Sequence, residues 1–315
     1  MSRSGPACVM RANITTTSAL LVAAIMLILP AQAGATFPGP DGRIAFSRGP
    51  DVFTMLPDGE AVTQLTAVGT GESASRASWS ADGRRLVFQR SPAGGTSQLW
   101  TMDADGGRQR LLLDDPAYDD LAPSFSPNGG AVVFSRCEPA ADGTCAIYRV
   151  RAGGGGLKAL TPFDPAVLDF GSAYSPDGRT VAFGRFRLDG SGGAIYLMGE
   201  DGSTPRRLTP LELGAADPDW SPSGSRLAFT THCCDPANGE IWTIRADGRR
   251  LRQVTDTPDL HDFSPSWAPE GDAIAFERHD ADFTTSGIYA VSPLGGPVRL
   301  IQGDGAVPRW GPSLP

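Results

Sequence analysis

The chain has 315 residues, 35 acidic against 27 basic side chains and a formal net charge of −8. That balance argues against nucleic acid as a partner, because phosphate backbones demand basic faces.

Chain order begins with a segment that reads as an export signal. Arg3 and Arg11 supply a basic start, residues 19–29 form an unbroken apolar run, and Ala31-Gln32-Ala33 gives the small-x-small cleavage pattern. The run is shorter than the roughly 20 apolar residues that a bilayer-spanning helix needs. No cysteine follows the cleavage pattern and no arginine pair precedes the run, so general export is expected rather than a lipoprotein or twin-arginine route. Losing residues 1–33 removes two arginines and no acid, which takes the charge from −8 to −10. The expected organisation is a signal peptide over 1–33 and a repeat domain over 34–315, located in the periplasm, at the cell surface or outside the cell.

One pattern then recurs. Ala173-Tyr174-Ser175-Pro176-Asp177-Gly178 runs into Val181-Ala182-Phe183, and close copies stand at Trp79-Ser80-Ala81-Asp82-Gly83, Phe125-Ser126-Pro127-Asn128-Gly129, Trp220-Ser221-Pro222-Ser223-Gly224 and Trp267-Ala268-Pro269-Glu270-Gly271. A first copy, Pro40-Asp41-Gly42, lacks its aromatic residue, and a last aromatic, Trp310, lacks the apolar run. The spacing of 43 to 49 residues between aromatics is that of propeller blades.

Each repeat divides into four runs. Run A ends at the aromatic, and Ser-Pro-Asp-Gly has the chemistry of a type I turn. Run B (44–48, 86–90, 132–136, 180–185, 227–231, 274–278) is apolar on both parities, as in a strand covered on both faces. Run C carries Val52-Phe53, Leu99-Trp100, Ile147-Tyr148, Ile195-Tyr196, Ile241-Trp242 or Ile288-Tyr289. Asp-Gly or a glycine run follows, and run D is a short segment of the Leu-Thr type. Pro123, Pro218, Pro265 and Pro308 lie in run A, which must therefore be an edge strand. Six repeats of four strands predict an all-β, six-bladed β-propeller of antiparallel blades. The first repeat lacks run A and the chain end supplies one, so the C-terminal strand is expected to complete blade 1 and close the ring. Arg206, Arg207, Arg249, Arg250 and Arg252 fall on the outer edge, where charge blocks strand addition.

Cys137 and Cys145 flank a loop between two candidate strands and are expected to form a disulfide. Cys233 and Cys234 are adjacent, which permits a strained ring disulfide, two free thiols or a metal contact.

In an up-and-down blade the A–B and C–D turns share one face of the disc, and the B–C and D–A loops share the other. The first set is tight and repetitive here and the second long and irregular, so the second face is where binding is expected. Its acidic residues Asp120, Asp169, Asp217, Asp262, Asp304 and Glu72, with Asp119, are placed around one mouth of the channel. As a partial ring they would suit a divalent cation such as calcium or a basic group of a partner; as turn caps they would bond backbone amides. His232, His261 and His279 fall in loops of that face beside Asp262, as candidate metal ligands or acid–base groups. The chain has no G-x-S-x-G elbow, no P-loop, no H-E-x-x-H and no CxxC, so no motif proposes a reaction.

These repeats resemble the TolB-type, WD-like β-propeller repeat family across nearly the whole chain after residue 33. The resemblance implies a propeller that binds proteins, without the separate α/β domain that precedes the propeller in TolB itself. Two functions are expected from different classes. The first is an exported, non-catalytic, monomeric scaffold for a protein or peptide partner, peripheral to the cell envelope. The second is a metal-dependent enzyme, or a sugar or lactone binder, at the acidic mouth.

Overall fold

The computed structural model describes residues 37–139, 144–231 and 239–314. The export segment and the expectations for His232, Cys233 and Cys234 lie outside the described residues.

Among the described residues, twenty-four strands form six four-stranded antiparallel sheets. Blade 1 holds β1 (Asp41–Arg48), β2 (Asp51–Met55) and β3 (Thr63–Gln64). Blade 2 holds β4 (Ser73–Trp79), β5 (Arg85–Ser91), β6 (Gln98–Asp103) and β7 (Arg110–Leu113). Blade 3 holds β8 (Asp119–Phe125), β9 (Ala131–Cys137), β10 (Cys145–Arg151) and β11 (Lys158–Ala159). Blade 4 holds β12 (Val167–Tyr174), β13 (Thr180–Arg187), β14 (Gly193–Gly199) and β15 (Arg206–Arg207). Blade 5 holds β16 (Ala215–Trp220), β17 (Arg226–Thr231), β18 (Glu240–Arg245) and β19 (Arg252–Gln253). Blade 6 holds β20 (Leu260–Trp267), β21 (Ile274–Asp280), β22 (Ser286–Val291) and β23 (Arg299–Gln302). The final strand, β24 (Ala306–Pro312), pairs with β1 and gives blade 1 the order β24-β1-β2-β3. Among the described residues no helix is long and apolar enough to cross a membrane.

Local chemistry accounts for each part of the repeat. At the A–B turn the Gly83 amide donates to the Ser80 carbonyl, Ser80 Oγ donates to Asp82 Oδ1 at 2.6 Å, and the Arg85 amide donates back to Ser80 Oγ at 3.0 Å. The same brace recurs at Ser175 and Asp177. At the C–D turn Gly106 has φ 86°, and a Cβ there would stand 2.6 Å from the Leu65 carbonyl of the preceding blade. The Leu-Thr signature also has a cause. Thr66, Thr161, Thr209 and Thr255 each accept, through Oγ1 at 2.9 Å, the amide of the run C residue Val52, Ile147, Ile195 or Ile241. Run D is too short for much ladder pairing, and this side-chain bond ties it to the blade.

Run B is buried on both sides, as its two-parity pattern demands: Leu86, Val87 and Phe88 have no exposed area, nor do Leu227, Ala228 and Phe229. Burying a side chain of that size is worth about 1.5–3 kcal/mol. Ring closure repeats the logic between blades 6 and 1, where Ile44, Phe46 and Met55 pack with Ile288, Ile301 and Trp310. The Ser313 amide then donates to the Pro40 carbonyl, so both ends of the described chain meet.

Every inner strand carries an irregularity that the sequence pattern did not announce. Three residues before each aromatic, the chain turns to a positive φ: Arg76 (60°), Ala122 (62°), Gly171 (60°), Asp217 (51°), Ser264 (55°) and Val307 (54°). The register with the neighbouring strand slips there, as in a β-bulge. The bulge aims an amide at the preceding blade. Arg76 N donates to Ser47 Oγ, Ala122 N to Gln89 Oε1, Gly171 N to Ser135 Oγ and Val307 N to Glu277 Oε2. Cys137 and Cys145 are register partners on β9 and β10 and form the expected disulfide.

Candidate binding face

The B–C and D–A loops gather on one side, and the expected acidic residues divide there into three kinds. Asp120, Asp169 and Asp262 lie opposite Arg136, Arg185 and Arg278 in the ladder. Each carboxylate takes a two-pronged guanidinium: Nε to Oδ1 at 2.8, 2.6 and 2.6 Å, and Nη2 to Oδ2 at 2.9, 2.7 and 2.7 Å. All three acids are buried. Burial pushes the Asp120 carboxyl up to about 6, with Arg136 opposing, and raises Asp262 against Arg278. Glu72 accepts from Arg90 Nη2 at 2.6 Å, which holds its carboxyl below the usual range, and exposed Asp304 stands 3.5 Å from Arg48. Asp119 accepts the Ser97 amide. This part of the face therefore presents paired charges, and the carboxylates grip arginines.

Asp217 belongs elsewhere. It occupies the bulge of β16, and the charges that act on it are Arg76 from the opposite blade, Arg309 and Glu277. These groups converge on the central channel. Burial pushes the Asp217 carboxyl well above its ordinary value and brings the Arg309 guanidinium down to about 10. Against burial, bonds from His279 and the Val307 amide hold Glu277 below its usual range. The channel thus holds a compact set of opposed charges rather than a ring of one sign.

The structure brings His261 and His279 together as register partners across β20 and β21. Asp262, one residue along, points to Arg278 and away from them. The imidazoles instead join an aromatic stack, with His261 4.5 Å and His279 5.2 Å from the Phe283 ring centre, and His261 5.9 Å from buried Phe263. Burial, and then His279, depress the His261 pKa. Phe283 is 51% exposed at the tip of the B–C loop, and Asp280 braces that loop by accepting from Thr284 and Thr285. Sequence reasoning missed Phe283, a large aromatic in an otherwise polar loop. Among the described residues, no group of three or more His, Cys, Asp or Glu side chains is placed to hold a metal ion.

A family model described as the TolB beta propeller domain matches residues 108–314. TolB from Acinetobacter baumannii superposes with a TM-score of 0.70 at 20% identity, covering 86% of this chain and 67% of that one. A chain of a nidogen/laminin complex superposes at 0.65 and 11% identity, covering 85% and 97%. Over 57 residues the chain is 39% identical to the "Uncharacterized peptidase YuxL" of Bacillus subtilis (strain 168), a match that spans 18% of this chain and only 8% of that protein. With more than half its length matched by the family model and six closed blades in its fold, the chain belongs to the TolB β-propeller domain family.

Proposed function

We propose that residues 34–315 are an exported, non-catalytic scaffold that offers its irregular face to a protein or peptide partner at the cell envelope. The observation that carries this reading is the exposed Phe283 ring, held over His261 by a braced loop on a rigid blade. Protein interfaces concentrate their energy in such aromatic anchors. Asp120, Asp169 and Asp262 spend their lone pairs on arginines, which favours recognition over metal chemistry on this face. The nidogen/laminin complex, one chain of which shares this fold, adds a precedent for protein partners.

A photo-crosslinking residue placed at 283, compared with one at Arg249 on the outer edge, tests the reading in an envelope extract of the source organism. One discrete partner captured from 283 and none from 249 is the expected result. Equal capture from both positions, or from neither, overturns it.

A further inference from the structure

The outer edge of blades 4 to 6 carries a continuous basic corner. Arg206 and Arg207 on β15, Arg249 and Arg250 ahead of β19, Arg252 on β19 and Arg299 on β23 are all exposed. Two of them join the blades. Arg206 Nη2 donates to the Ala246 carbonyl of blade 5 at 3.0 Å, and Arg252 Nη2 donates to the Leu294 carbonyl of blade 6. Few acids answer these charges. Asp247 faces Arg245 at 3.4 Å and takes the Arg249 amide, Asp201 takes the Ser203 amide, and the C–D turn of blade 6, Ser292-Pro293-Leu294-Gly295-Gly296, has no acid. Asp58 and Glu60 of the blade 1 turn, whose Pro57 carbonyl Arg299 reaches at 3.3 Å, end the corner on that side. Among the described residues the guanidinium groups of Arg207, Arg249 and Arg250 have no hydrogen-bond or ion-pair partner.

Leucines stand out of the same corner. Leu251, between Arg250 and Arg252, is 38% exposed, Leu294, whose carbonyl holds Arg252, is 59% exposed, and Leu300, beside Arg299, is 53% exposed. Charge alone is enough to keep a neighbouring strand off an edge, and bare leucines among the charges add nothing to that task. Arginines interleaved with exposed apolar side chains suit a boundary with phosphate headgroups on one side and hydrocarbon on the other. The rest of the surface sorts the opposite way. Exposed Asp114, Asp189, Glu212, Asp256, Asp259 and Asp282 stand in the D–A and B–C loops, at the far end of the strands. A chain of net charge −8 is repelled as a whole by an anionic surface. At contact only the charges within a Debye length count, about 8 Å at physiological ionic strength, so a segregated corner can bind where the whole molecule would not.

We infer that this corner docks the propeller on an anionic phospholipid bilayer. The arginines meet lipid phosphates, and Leu251, Leu294 and Leu300 enter the boundary between headgroups and acyl chains. Docking turns the acidic loops away from the bilayer and leaves the Phe283 loop clear, because Phe283 and Leu294 lie beyond opposite ends of β22. The inference takes only the envelope setting from the proposed function and is independent of what binds at Phe283.

The test is flotation of the folded protein with vesicles of phosphatidylglycerol and phosphatidylcholine in equal parts, against vesicles of phosphatidylcholine alone. The expected result is binding to the first, at least ten-fold weaker binding to the second, and release from the first in high salt. R207E/R249E/R250E should weaken binding at least ten-fold. R84E/R110E/R151E makes the same charge change at exposed arginines of blades 2 and 3 and should leave binding unchanged. L251S/L294S/L300S should weaken binding at least three-fold with Tm unchanged, and Leu294→Ser alone gives the same sign if the triple variant does not fold. Equal binding to both vesicles, or none, by the unaltered protein overturns the inference with no variant needed. An equal loss in the two arginine variants overturns it too, since net charge would then explain the binding, as does undiminished binding of the folded leucine variants, which would leave a site for soluble polyanions. Docking on vesicles with no partner captured from 283 keeps the corner and sinks the scaffold reading. A captured partner with no docking does the reverse.

Discussion

The backbone amide of Val307 donates to Glu277 Oε2 at 2.6 Å, joining the middle of blade 6 to the strand that finishes blade 1. Equivalent bulge amides in blades 2, 3 and 4 reach neutral acceptors at 3.1 to 3.3 Å. The seam where the ring shuts therefore has the charged, shorter version of a bond repeated around the channel.

Glu277→Ala should cost about 1.5–3 kcal/mol, the range for a hydrogen bond to a charged group, whereas Ser135→Ala at the seam between blades 3 and 4 should cost about 1 kcal/mol. Urea denaturation of the two variants checks the order. Similar losses in both would mean that closure carries no special share of the stability. Truncation after Gly305 removes β24 and uncovers the core that Trp310 completes, so cooperative unfolding should disappear from the melt.

The Asp120–Arg136 pair predicts non-additivity. Arg136→Met leaves a buried carboxylate without its guanidinium and should cost about 3–5 kcal/mol, while D120L/R136M, with both charges gone, should recover most of that loss. A double-mutant cycle measures it.

The same group gives a pH dependence with a definite sign. The Asp120 carboxyl titrates at about 6 in the folded protein, against about 3.9 for an unfolded aspartate. The folded state therefore binds the proton first, and the cost of ionising Asp120 is relieved as pH falls through about 6 toward 4. The deficit of Arg136→Met should shrink between pH 7 and pH 5 and should be flat with pH in D120L/R136M. A deficit that grows on acidification would reverse the assignment.

His261 has the opposite sign. Burial and the neighbouring His279 hold its folded pKa below the usual value, so its contribution is present at neutral pH and is lost as pH falls below about 6.5. Asp262 and Asp280 temper the effect, and Glu277 lies 3.6 Å from His279. Acidification from pH 7 to 5 should loosen the Phe283 ring from the stack, read as lower hydrogen-exchange protection factors in residues 280–286 once the fall of the intrinsic exchange rate with pH is divided out. His261→Phe should remove that dependence.

Architecture was legible because its signals are local. The Ser-Pro-Asp-Gly turn, the two-sided run B and the Leu-Thr bond each lie within one repeat, and the missing run A of the first repeat matched the surplus one at Trp310. The arginine partners of the acidic residues were not legible because they depend on register. Asp120, Asp169 and Asp262 each precede their arginine by 16 residues, a separation that becomes contact only when the A–B hairpin folds. The arginines at the ends of run B were in view, and counting back through the turn would have paired them. The bulges were hidden for another reason. Arg76, Ala122, Asp217, Ser264 and Val307 share no side-chain chemistry, and only the backbone repeats.

Because Ile44 pairs with Trp310, the earliest strand of the propeller waits for the latest. A folding chain carries an unfinished blade until its residues 306–312 arrive, and the slow, long-range search typical of non-local strand pairing is left to the closing step. Until β24 (Ala306–Pro312) is in place, blade 1 is an orphan hairpin, and any chain that stops short of it leaves that hairpin seeking a neighbour.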